Sequence, residues 1–127
     1  MKLLLLASLV AFATPVEAQE SEFRSAETNA SLQAYHDCTS QNALRLEPAN
    51  EPIEATWEVI DAMCAEEKLS FNMNILGDAQ RAFPERSTED IVEIAAWFRE
   101  RYSGMVEDDV KAQMFEARAA RNSGRSE

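Results

Sequence analysis

The 127-residue chain carries 23 acidic residues against 12 basic ones, and its net charge of −11 disfavours non-specific binding to DNA, RNA or an anionic lipid surface. Three glycines and four prolines are too few for the frequent turns of an all-β domain, whereas the better helix formers are plentiful. The composition predicts an all-α protein, a small bundle of about four helices.

The chain opens on Lys2, an apolar run from Leu3 to Ala13, and the small-residue set Val16-Glu17-Ala18. That order is expected of a secretory signal peptide over residues 1–18. The run is too short for a spanning helix, which needs about 20 apolar residues. No membrane insertion is therefore expected after signal cleavage. The expected mature chain starts near Gln19 and keeps the same net charge, because Lys2 and Glu17 leave together. It fits a single helical domain over residues 19–121, followed by a disordered tail over 122–127. An exported location, periplasmic or secreted, is the expectation, and disulfides form there.

Ser25 is placed to cap a first helix, with Glu27 favourable in its first turn. Thr28, Leu32, Tyr35, Thr39, Asn42 and Leu46 then share one semi-polar face, with Ala43 beside them. Glu47-Pro48 ends this helix, because proline disfavours a helical residue before it. A second helix opens at Asn50-Glu51-Pro52, where a proline in the first turn does no harm. Ile53, Trp57, Ile60, Cys64, Phe71 and Ile75 form its stripe, the most apolar in the chain. A break is expected near Ser70 to Asn74, and Gly77 is expected to interrupt or bend the pattern before Phe83-Pro84 ends it. Ser87-Thr88-Glu89-Asp90 is a restart signal, followed by the face Ile91, Ile94, Ala95, Phe98 and Tyr102. Gly104 reads as a stop. A last helix from Val106 to about Arg121 begins with acids and ends with arginines, as the helix dipole prefers.

The cysteines, Cys38 and Cys64, fall at equal sequence distance from residue 51. If the first two helices form an antiparallel hairpin turning there, both thiols sit at similar depth on facing helices. Their helix-end distances differ by four residues, about 6 Å at 1.5 Å per residue, which a tilt can absorb. A disulfide also needs Cα atoms within about 7 Å. Such a bridge would add about 3–4 kcal/mol in the chain-entropy model. A redox or ligand-binding pair has less support, since there is no Cys-x-x-Cys and no cationic cluster nearby.

Other chemistry is thin. His36-Asp37-Cys38 places three donor types in a row, but helix neighbours point about 100° apart and cannot converge on one ion. No metal and no cofactor are expected, and His36 reads as a surface histidine. Acid pairs such as Glu54 with Glu58 or Glu89 with Glu93 read as a solvated face rather than a glycosidase dyad. No catalytic residues are assigned. Trp97, beside the Phe98–Tyr102 stripe, is the candidate partner contact, because tryptophan is enriched at interface hot spots.

Tyr35-His36-Asp37-Cys38, an acidic proline-containing turn, and Ala62-Met63-Cys64-Ala65-Glu66-Glu67 together resemble uncharacterised small exported (periplasmic) proteobacterial proteins. The likeness covers about 30 residues. It implies a helical hairpin closed by a disulfide and brings no activity with it. Size, acidity and a single cysteine pair are also similar to periplasmic acid-stress chaperones, whose cysteines lie farther apart. The expected function is non-enzymatic binding of a protein or cell-envelope component. An acid-stress holdase is the alternative, and a small hydrolase a more distant one.

Overall fold

The computed structural model describes residues 23–124, which fold into four packed α-helices: α1 (Ala26–Leu46), α2 (Ile53–Met63), α3 (Ala65–Ala82) and α4 (Thr88–Gly124). A single 3-10 turn, Glu47–Ala49, follows α1. The expected signal peptide lies outside the described residues.

The starts of α1 and α4 are written locally. The Thr28 N–H donates to Ser25 Oγ at 3.1 Å, and the Asp90 N–H donates to Ser87 Oγ at 3.1 Å. Each serine satisfies a donor that the first helical turn leaves unpaired. After α1 the chain passes through Pro48 and turns at Asn50, whose φ of 64° is left-handed. Asparagine tolerates that region better than most residues, because its short side chain can bond locally.

Three helix boundaries differ from the sequence-based expectation. The break falls at Cys64, not at Ser70 to Asn74. The Cys64 N–H reaches both the Ile60 and Asp61 carbonyls, tightening the last turn of α2, while its own carbonyl accepts from Lys68 N–H to start α3. Ser70 to Asn74 stays helical because Phe71 and Ile75, on either side of the same turn, are buried in the core. Gly77 and Gly104 both lie inside helices. A glycine costs a helix interior only about 1 kcal/mol. The buried face Tyr102, Val106, Val110 and Met114 carries α4 through Gly104 as one helix of 37 residues. It also continues through Asn122 and Ser123, beyond the expected end at Arg121.

The core has two centres. One gathers Tyr35, Ala43, Ile60, Cys64, Val110 and Met114; the other gathers Phe71, Ile75, Ala79, Ile91 and Tyr102. Leu32 packs against both. Phe23 stacks on Phe98 at 4.1 Å between centroids, His36 meets Asp109, and Glu47 meets Arg118 and Arg121. These pairs keep chain order, so α4 runs in the same direction as α1. Contacts with α3 reverse the order: Asn42 faces Cys64, Ser31 faces Asn74, and Thr28 faces Asp78.

Candidate functional site

Cys38 and Cys64 are joined by a disulfide, with Cα atoms 5.9 Å apart. Cys64 is fully buried and Cys38 half-buried. Cys64 sits in the junction between α2 and α3 rather than in mid-helix. Asn42 Nδ2 stands 3.6 Å from each sulfur and donates to the Cys38 carbonyl at 2.9 Å. A carboxylate oxygen of Glu67, in the first turn of α3, lies with both sulfurs in a group no wider than 4.8 Å.

Two buried carboxylates were not singled out by sequence. Glu47, 3% exposed, receives Arg121 Nη1 and Nη2 at 2.7 Å each and Arg118 Nε at 3.2 Å. Arg118 also donates to the Glu51 carbonyl. This cluster ties the end of α4 to the turn after α1. Asp78, 2% exposed, accepts from the Ser25 N–H at 2.9 Å, Thr28 Oγ1 at 2.5 Å and Arg81 Nη2 at 2.6 Å. It ties the start of α1 to the last turns of α3. The spacing of Arg118 and Arg121 on one helix face was the available signal for Glu47, but it reads equally well as dipole complementarity.

The hydrogen bond from Arg121 holds the Glu47 carboxyl below its usual range, against the opposing effect of burial. Burial pushes Asp78 up, yet the bonds from Thr28, the Ser25 backbone and Arg81 outweigh it and leave that carboxyl lowered too. A folded-state pKa below the unfolded one means stability present above the ordinary carboxylate range and lost as pH falls through the folded value. Thermal stability should therefore stay level down to about pH 4–5 and drop below it. A Glu47→Gln/Asp78→Asn double variant should be less stable at pH 7 and show a flatter acid limb. Melting curves from pH 7 to pH 2 measure this, and parallel acid limbs would refute it.

Between α1 and α4 lies an open groove of about 550 Å³, floored by Leu32, Tyr102 and Val106 and rimmed by Asn29, Gln33 and Met105. His36 Nε2 spans its mouth to Asp109 Oδ2 at 2.6 Å. The expected surface histidine thus links two helices, and its hydrogen bond is the main cause of the lowered Asp109 carboxyl. A smaller cleft of about 230 Å³ lies between Tyr35, Asp61 and Lys68 on one side and Glu100, Gly104 and Glu107 of α4 on the other. Tyr35 Oη donates to Asp61 Oδ1 at 2.6 Å, and Lys68 Nζ donates to both Asp61 oxygens at 2.9 Å. Burial, followed by the Asp61 hydrogen bond and the charges of Asp61 and Glu107, raises Tyr35 far above its usual range. It is a fixed donor at any physiological pH.

Trp97 is 55% exposed on the outer face of α4. Its ring meets Phe98 edge-on at 4.8 Å, and the Arg101 guanidinium lies 5.5 Å from its centroid. The structure does not bring Trp97 together with the disulfide or with either buried carboxylate. Among the described residues no helix is long and apolar enough to cross a membrane. No family model, no curated protein and no solved structure matches this chain.

Proposed function

We propose that this is an exported, periplasmic or secreted, non-enzymatic protein that binds a protein or cell-envelope component through its outer helical surface. In this reading α1 and α2 form a disulfide-linked antiparallel hairpin, supported by the Tyr35–Asp61 hydrogen bond and by Leu46 and Thr56 lining one small cavity. The observation that carries the proposal is a contrast. Three sets of groups able to do acid–base work are engaged in holding helices together: His36 with Asp109, Asp61 with Tyr35 and Lys68, Glu47 with two arginines. Large apolar side chains meanwhile stand outside, with Trp97 held at a defined angle by Phe98 and Arg101. Aromatic and arginine anchors of this kind are enriched where partners dock.

A photocrosslinker placed at position 97 of the exported chain, with a second at Glu116 as control, tests this directly. A discrete adduct from position 97 that is absent from position 116 is expected. Trp97→Ala should weaken binding of the captured partner by about tenfold or more. Absence of any adduct above the control removes this reading.

The acid-stress holdase is retained as a second reading on a specific observation: the two carboxylates that join helix ends, Glu47 and Asp78, are buried. Their protonation would loosen both ends of the bundle and expose apolar surface. Suppression of a client's aggregation at low pH, matched by dye binding, is the expected sign. A chain that stays compact and inert there is not a holdase.

A further inference from the structure

We propose that the Cys38–Cys64 pair, once reduced, joins Glu67 in a three-ligand site for a thiophilic divalent cation of the zinc class. This goes beyond the binding reading and does not depend on it. Both sulfurs and a Glu67 carboxylate oxygen already lie within 4.8 Å of one another, delivered by mid-α1, the α2–α3 junction and the first turn of α3. The disulfide has no proton to donate to that carboxylate, which stands in the first turn of α3. Glu67 is half-buried and has no hydrogen bond or ion pair among the described residues. Two thiolates and a carboxylate in one cluster would repel each other, so without a cation the reduced sulfurs keep their protons and with one they give them up. Zinc accepts this donor set, with a fourth position left for water.

The route to the dithiol follows from exposure. Cys38 is half-buried and Cys64 fully buried, so a dithiol reductant attacks Cys38 Sγ and Cys64 leaves as the thiolate. Cys64 directly precedes α3, and the unpaired N–H groups of a helix N-terminus favour a thiolate. The reductant's second thiol then attacks its own sulfur in the mixed disulfide and releases Cys38. In sum the protein disulfide takes up two electrons and two protons, and the reductant becomes a disulfide. Cation binding displaces the two thiol protons to solvent. Two sulfurs bound to one tetrahedral ion at about 2.3 Å stand roughly 3.8 Å apart, which side-chain rotation supplies from Cα atoms 5.9 Å apart.

The test is titration of the phosphine-reduced, metal-stripped full chain with cobalt(II), followed by zinc. A near-ultraviolet thiolate-to-cobalt band saturating at one ion per chain and bleached by zinc is expected. The oxidised chain and Cys38→Ser should lack this band. Glu67→Gln leaves both thiols in place and should weaken cobalt binding by about tenfold or more. Equal affinity of Glu67→Gln and the natural chain overturns the site, because two thiols in any chain would then suffice. A reduced chain that loses its helical circular dichroism and does not regain it on adding cobalt overturns it as well.

Discussion

Cys38→Ser should lower the stability of the folded chain by about 2–5 kcal/mol, the usual cost of removing a native disulfide from a small domain. For a domain near 100 residues that corresponds to a fall in melting temperature of at least about 10 °C. The bond closes a separation of 26 residues, so much of the loss comes from freeing the unfolded chain. The junction between α2 and α3 should suffer most, because Cys64 sits there and packs with Tyr35, Ile60 and Val110. Cys64→Ser should be worse than Cys38→Ser. It places a hydroxyl at a fully buried position, whereas position 38 keeps some contact with water. Thermal melts of both variants, beside the natural chain with and without reductant, measure this. A natural chain whose melting temperature does not respond to reduction would show that the bond carries no stability.

Asp78→Ala should cost about 3 kcal/mol, since it strands several donors to a buried carboxylate at once. The Ser25 N–H and the Thr28 hydroxyl would lose their common acceptor, the first at a half-buried position and the second at a buried one. Thr28 is itself fully buried, so its hydroxyl has no alternative in solvent. Arg81 is mostly exposed and can turn to water, which limits its share of the loss. Asp78→Asn keeps the volume but removes the charge and should fall between the two. A double-mutant cycle with Thr28→Val would isolate the Thr28–Asp78 pair and should give a coupling of about 1.5–3 kcal/mol. Amide exchange should rise first in the opening turns of α1 and the last turns of α3. Uniform loosening across all four helices would count against a local tie.

The helix starts at Ser25 and Ser87 were legible because a cap is a contact between residues three apart. Trp57, Ile60 and Cys64, then Phe71 and Ile75, were legible as buried positions because burial repeats with the helical period, although the single stripe expected is divided between two helices at Cys64. The cysteine pairing was legible from spacing and the proline-marked turn. By contrast, Gly104 carries the same local signal as a terminating glycine, and only the buried face on both sides keeps α4 continuous. Glu47 reads as a turn residue beside Pro48 until Arg121, 74 positions away, arrives next to it. Among the proposed site residues, Trp97 was visible as a residue type, and its exposure follows from how α4 packs. Glu67 appears in the sequence only as the closing acid of the Ala62-x-Cys64-x-x-Glu67 stretch, and its neighbours do not say which way the first turn of α3 points.

By itself the sequence determined the helical class, the caps, the apolar stripes and the acidic balance, all of which arise from residues close enough in the chain to act on one another. The tertiary structure alone decided where α2 breaks, that α4 runs unbroken alongside α1, and that Glu47 and Asp78 are buried ties instead of surface charges. The physical reason is that a polar group's burial and a helix's continuation depend on what packs against them, and those partners come from distant parts of the chain.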